Sequence, residues 1–338
     1  MNPDPSFAGK PRLHFSNKID VIFIIFIITL SVYYGIYISS IKIPTHDGAV
    51  YLLNARSWFY GTEIDQEYRP QLLSWIISAI WKLTGENWII AKYIQSAFTI
   101  GAGIILYIFL RKSKNASFAF GVSALTMLNA IVFVHSTKIL TEGVALFFII
   151  ATLYLLNIRK EKYWLLAGIT AGLTFAARYP VALQALTIFI VESIITKKPN
   201  LIIRTILSAS FIILIVIVAI YLKTGTFQTA ISEDTVFTIY LSPYYVANSI
   251  DIWGFAFLLV PLALLFKRTY TDKFNYTFIA WFIVSMIFWS ANASNHQYRF
   301  AIQFTPAVYF LSMLGIENLW LYLKEKRSKE KAKATGVK

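Results

Sequence analysis

Long apolar runs separated by short polar joints set the pattern of this chain. The first, Ile19–Ile41, is rich in Phe and Ile and has the length of one membrane-crossing helix. Similar runs follow at Trp88–Leu110, Ser117–Val134, Glu142–Ile158, Tyr163–Ala177, Val181–Thr196, Leu201–Leu222, Ile250–Phe266, Phe274–Ala291 and Phe300–Tyr322. The pattern predicts an all-α polytopic membrane protein of about ten transmembrane helices. One apolar stretch falls outside the series. Gln71–Thr84 is about 14 residues long, too short to cross a hydrocarbon core, and is read as a juxtamembrane amphipathic helix at the interface. The chain then divides into an N-terminal segment (1–18), a membrane domain (19–322) whose first outer loop is 42–87, and a basic tail (323–338). No internal repeat is visible.

Composition agrees. With 57% hydrophobic residues, 14% charged and a mean hydropathy of +0.60, a soluble chain of this length is excluded. There is no cysteine, so neither disulfides nor thiolate chemistry is available. A net charge of +14 would suggest nucleic acid in a soluble protein, but here it is distributed by loop. The segments around Lys10, Arg111, Arg159, Lys197 and Lys267, with the tail after Tyr322, carry 22 of the 31 Lys and Arg residues. These segments alternate with loops poor in basic residues. The positive-inside rule then predicts cytoplasmic termini, no nucleic-acid partner and an outer face at the cell surface. Counting Gln71–Thr84 as a span would invert every later loop. The first run has no small-residue cleavage site after it and is read as an uncleaved span. The Lys/Arg/Glu tail is expected to be disordered near anionic headgroups.

Polar side chains concentrate in the predicted outer loops. The first contains His46, Asp47, Arg56, Glu63, Asp65, Glu67 and Arg69; later ones contain His135–Glu142, Arg178–Pro180 and Asn292–Arg299. In order, His46-Asp47-Gly48 through Tyr51 to Ala55-Arg56, Tyr68-Arg69-Pro70, the Gly168/Gly172 run ending in Arg178-Tyr179-Pro180, and Tyr298-Arg299-Phe300 resemble landmarks of the membrane-embedded GT-C glycosyltransferases. The resemblance is to the protein O-mannosyltransferase and lipid A aminoarabinose-transferase branch and covers about residues 20–320. It implies inverting transfer of a sugar from a polyprenyl (dolichyl or undecaprenyl) monophosphate donor to an acceptor hydroxyl on a protein, lipid or glycan, at the outer face. That branch often has Asp-Glu where this chain has Asp47-Gly48, so the second carboxylate must come from elsewhere or be absent.

The resemblance assigns roles by position. A lipid phosphate is already a good leaving group, so the chemistry needs a base for the acceptor and cations for the departing phosphate. Asp47, just past the first span, is the candidate base; its bland alternative is the N-cap of a helix over Ala49–Tyr60. Arg69, Arg178 and Arg299 are candidate phosphate ligands, with snorkelling at span ends as the alternative. His46, Tyr51, Arg56, Tyr68, Glu142, His296 and Tyr298 are candidate substrate-positioning residues. Glu142 could instead hold Lys138 or simply begin a helix. The scattered His and Asp residues make no metal signature, so no cofactor and no divalent metal are expected. Glu192, within a span, is either protonated or paired across helices. A lipid or sugar transporter, or a non-catalytic scaffold, stands as the alternative.

Overall fold

The computed structural model describes residues 17–64, 66–158, 160–225, 244–291 and 297–334, which form fifteen α-helices. Local chemistry sets many of their ends. Asn17 and Asp20 form a capping box that starts α1 (Lys18–Ser40). Thr45 caps α2 (His46–Tyr60), which stops at Gly61, whose φ of 81° suits only glycine. Helix α3 (Leu72–Thr84) ends at Gly85, and Asn87 caps α4 (Trp88–Ser113). Helices α5 (Ala116–Leu128) and α6 (Ala130–Ser136) meet at a 58° bend. Asn129 makes that bend: its Oδ1 accepts from the backbone of Ile131 and Val132, and its Nδ2 donates to Ile252 O and Tyr309 Oη.

The remaining helices are α7 (Glu142–Asn157), α8 (Glu161–Ala177), α9 (Ala182–Thr196), α10 (Pro199–Thr224), α11 (Tyr244–Ala247), α12 (Ser249–Trp253), α13 (Leu259–Leu265), α14 (Phe274–Ala291) and α15 (Thr305–Ala334). Each apolar run read from the sequence is helical where it was expected, but length separates them. Helices α1, α4 and α10, the run Tyr179–Thr196 and the run Tyr298–Lys331 are long and apolar enough to cross a membrane. The bent α5–α6 pair makes a sixth candidate, so this is a multi-pass, all-helical membrane protein in which five or six helices, among the described residues, meet that length. Helix α7, with 16 residues, rises only about 24 Å against a hydrocarbon core of about 30 Å. The 250–266 run is interrupted at Gly254, whose φ is 65°.

The tail departs from expectation too. It is helical to Ala334, because α15 continues unbroken out of the bundle. Its apolar part is the most enclosed of the long helices, while α1 and α10 leave most of their apolar side chains on the outside, as lipid-facing helices do.

Polar contacts between helices fix their directions. Lys92, at the start of α4, donates to Ile38 O (3.0 Å) and Ile41 O (2.6 Å) at the end of α1. At the opposite end of the pair, Asp20 accepts from Tyr107 and Arg111. The two helices are therefore antiparallel. Glu192 of α9 accepts from Thr277 of α14 at 2.8 Å, so it is engaged across helices. Helices α8 and α10 approach most closely through Gly168 and Gly172. A Cβ at Gly168 would lie 1.8 Å from Ser208 Oγ and 2.3 Å from the Thr205 carbonyl oxygen; one at Gly172 would lie 2.6 Å from Ile212 Cβ. The serine can rotate away, but the carbonyl cannot. Gly168→Val is therefore expected to cost about 1–3 kcal/mol or more, read as a lowered Tm in detergent. A parental Tm would mean that α10 can shift to accommodate the side chain.

Candidate active site

Helix α2 presents Asp47, Tyr51 and Asn54 at helical spacing, so the three lie along one stripe. Tyr51 and Asn54 are buried, and Asp47 is partly exposed at the end of the stripe. Thr45, not Asp47, caps the helix by accepting from Gly48 N at 3.2 Å, which removes the capping explanation for the aspartate.

The Asp47 carboxylate sits between two arginines from distant parts of the chain. Its Oδ1 lies 3.0 Å from Arg69 Nη1, and its Oδ2 accepts from Arg299 Nη1 at 2.6 Å. Arg299 Nε is 3.6 Å from Glu142 Oε1, and the same Glu142 oxygen accepts from Arg178 Nη1 at 2.8 Å. The result is a chain of alternating charge, Arg69–Asp47–Arg299–Glu142–Arg178, with one positive charge in excess. Burial alone would raise the Asp47 carboxyl, but Arg299 and then Arg69 outweigh it and hold the group below the ordinary aspartate range. Burial and the neighbouring Glu142 push the Tyr51 phenol up, so it stays protonated.

Each arginine is held by a separate scaffold. Arg69 Nε donates to Gln66 Oε1 (2.7 Å), which also accepts from Tyr68 Oη (2.8 Å). The Gln66 backbone is clamped in both directions by the Asn54 amide, at 3.1 and 3.3 Å. Gln71 Nε2 donates to Arg69 O (2.8 Å), while Gln71 Oε1 accepts from Trp58 Nε1 (3.2 Å). The loop between α2 and α3 is thereby laced to α2. Arg178 follows α8; its guanidinium carbon is 4.6 Å from the centroid of the Phe300 ring, which stacks on Trp289. Arg299 is the second residue of the 3-10 turn Tyr298–Phe304 ahead of α15. All three arginines make short ion pairs, so snorkelling alone does not describe them.

Gly48 explains where the second acid resides. A Cβ there would lie 3.3 Å from both the Cβ and the carbonyl oxygen of Ile139, because the α6–α7 connection packs against α2. That connection delivers Glu142, buried at the first position of α7, into the network. Glu142 pairs with Arg178 and Arg299, not with Lys138.

The other expected positioning residues divide. Tyr51 and Tyr68 flank Arg69, whose guanidinium carbon is 5.9 Å from each ring centroid. Arg56 does not join: it is exposed and pairs with Glu86 at 3.0 Å, toward the far end of α2. His46 is exposed beside Asp47. Tyr298 donates to Asn248 Oδ1 at 3.2 Å, and His296 lies outside the described residues. Among the described residues no three His, Cys, Asp or Glu side chains converge as a metal site. The scaffold residues Asn54, Gln66 and Gln71 were not singled out in the sequence, and Phe300 entered only as the aromatic of the Tyr298-Arg299-Phe300 landmark. Of the first three, Asn54 alone had a signal there, as a polar residue seven positions after Asp47 on an otherwise apolar helix face.

Residues 68–222 match the family described as dolichyl-phosphate-mannose-protein mannosyltransferase. The match covers less than half of the chain, and over these residues the chain is similar to that family. The matched region carries Arg69, Glu142 and Arg178; Asp47 and Arg299 flank it. Among solved structures, the fold is similar to that of ArnT from Cupriavidus metallidurans in the apo state, with a TM-score of 0.70 and 13% identity over 88% of this chain and 59% of that one. The same protein bound to undecaprenyl phosphate matches with a TM-score of 0.65 and 13% identity, over 88% of this chain and 60% of that one. The archaeal oligosaccharyltransferase AglB from Archaeoglobus fulgidus, in complex with an inhibitory peptide and a dolichol-phosphate, gives 0.55 and 14%, over 91% of this chain and 52% of that one. The chain thus spans about three-fifths of the length of ArnT. No curated protein matches it in sequence. The fold is of the GT-C type, as the sequence landmarks imply.

Proposed function

We propose that this protein is a GT-C glycosyltransferase that moves a sugar from a polyprenyl monophosphate to an acceptor hydroxyl, with inversion. The observation that carries the reading is Asp47 held between Arg69 and Arg299 in a network with one excess positive charge. The family match, and the polyprenyl phosphates bound by ArnT and AglB, support the donor class. In the step itself, one Asp47 oxygen takes the proton of the acceptor hydroxyl as the acceptor oxygen bonds to the anomeric carbon. The bond from that carbon to the phosphate oxygen breaks, and its electron pair leaves with the carrier phosphate. Arg69 and Arg299 stabilise the charge that develops there, since guanidinium binds phosphate through two parallel N–H groups. Glu142 supplies the second carboxylate and holds Arg178 and Arg299 in place.

The reading is tested by purifying the protein, identifying co-bound lipid by mass spectrometry, and assaying transfer from polyprenyl-phosphate-linked sugars. A bound polyprenyl phosphate together with sugar transfer is expected. Lipid transport without transfer, or no polyprenyl phosphate and no transfer, would sink the proposal.

The site belongs on the outer face of a ten-span protein with cytoplasmic termini. Supporting this, Asp20–Arg111, Lys114–Asp272 and Arg268–Glu325 join only segments that the charge bias assigns to the cytoplasm. The Asp47 network joins only outer loops. Helices as short as α7 can cross where the bilayer thins around them. Accessibility tags near Lys112, Lys160 and Lys329 are expected to report cytoplasmic, and one near Thr62 outside. An outside signal near Lys112 would break this topology.

A further inference from the structure

The two arginines assigned to the donor phosphate are the two that occupy Asp47. Both carboxylate oxygens are engaged, Oδ1 by Arg69 at 3.0 Å and Oδ2 by Arg299 at 2.6 Å. In this arrangement an acceptor hydroxyl meets a carboxylate whose charge two guanidinium groups already neutralise. We infer that Asp47 is a counter-ion standing in for the donor phosphate: the phosphate displaces it from Arg69 and Arg299, and only then is the base uncovered. This rests on the glycosyltransferase reading above.

The geometry allows the exchange without dismantling the site. Each arginine meets Asp47 through Nη1, while its Nε edge faces a different group. For Arg69 that group is Gln66 Oε1 at 2.7 Å, and for Arg299 it is Glu142 Oε1 at 3.6 Å. The Nη end of Arg69 can therefore turn to a phosphate while its hydrogen bond to Gln66 keeps the side chain in position, and Arg299 can turn while the Glu142 carboxylate stays beside its Nε edge. The phosphodiester of the donor presents the forks with the same pair of terminal oxygens and single negative charge as a carboxylate, so it can take the place of Asp47, and the sugar-free carrier phosphate carries more of both. The Asp47 and Arg299 side chains are about one-fifth exposed, so the junction is open to an incoming headgroup. The electrostatics agree: Arg299 and Arg69 hold the Asp47 carboxyl low, and drawing them away makes it a stronger base. The acceptor proton then has a competent base only in a molecule that already holds donor.

Displacement of Asp47 by phosphate has a consequence opposite to the usual effect of mutating a catalytic site. If Asp47 competes with phosphate, removing its charge strengthens binding of the carrier. Equilibrium binding of sugar-free undecaprenyl or dolichyl phosphate to protein in nanodiscs reads this directly. Asp47→Asn and Asp47→Ala are both expected to bind about tenfold more tightly than the parent, because the fraction of molecules with unlocked arginines rises. Both variants keep the Thr45 cap, and the arginines they free can be solvated, so each should fold; a thermal melt checks this. The gain should shrink when Arg69 or Arg299 is already Gln, which separates a local lock from a general change in charge. Unchanged or weaker carrier binding in both Asp47 variants, or a gain that persists undiminished in the Gln backgrounds, overturns the lock. Those outcomes leave the base assignment standing, because that is judged separately by whether transfer is lost in Asp47→Asn.

Discussion

Asp47→Asn is expected to lower sugar transfer by roughly 100-fold or more while leaving the protein folded, which is the usual worth of a positioned general base. The substitution keeps the size and one acceptor oxygen but removes the basic one. Folding should survive because the cap of α2 is Thr45 and the buried part of the stripe is Tyr51 and Asn54, none of which depends on the charge. The pH dependence is a second measurement on the same group. The depressed carboxyl of Asp47 keeps its charge, and the associated ion-pair stabilisation, throughout the range above an unfolded aspartate's value of about 3.9. Both are lost only as pH falls through the lower folded value, so the donor-free enzyme should show no acid loss from this group at mildly acidic pH. Transfer assays of parent and variant at matched expression and Tm decide the matter. Near-parental turnover in Asp47→Asn would remove Asp47 from the chemistry and turn attention to Glu142.

Arg299→Ala should weaken binding of the carrier phosphate by roughly 10- to 100-fold, the range expected for losing a charge-assisted hydrogen-bonded contact. Arg299 is the joint of the network. It bonds Asp47 at 2.6 Å, lies 3.6 Å from Glu142, and comes from a part of the chain 252 residues beyond the aspartate. Its loss removes a phosphate ligand and also leaves Asp47 and Glu142 as neighbouring carboxylates without the cation between them. Lys at this position should recover only part of the loss, because an ammonium replaces the charge but not the planar fork. The measurement is the same carrier-binding assay in nanodiscs. An Ala variant that binds as tightly as the parent would make Arg299 a structural counter-ion for the two acids and strike it from the phosphate site.

Much of this protein was legible from its apolar periodicity. The helical runs, the short α3 and the segregation of basic residues all follow from local composition, because a lipid-facing helix must be apolar along its whole length. Asp47, Arg69, Arg178, Arg299 and Glu142 also stood out as candidates, since ionisable residues between the apolar runs of such a chain contrast with their surroundings. Hydropathy did not separate the helices of full-span length from a shorter one such as the 16-residue α7, because both are equally apolar. It also could not show that the charged tail continues α15 as a helix.

Pairing belonged to the tertiary structure alone. Nothing local to Arg56 separates it from Arg69, yet one meets Glu86 and the other Asp47, because the α2–α3 loop is laced to Asn54 and carries Arg69 back along the helix. Nothing local to Gly48 says that Ile139 packs against it and brings Glu142 to the arginines. Sequence by itself determined which segments are helical and which charges stand in the loops between them, since hydrophobic period and loop charge are properties of short stretches. Only the tertiary structure decided which charge meets which, because ion pairs form between residues tens to hundreds of positions apart whose proximity depends on how whole helices pack.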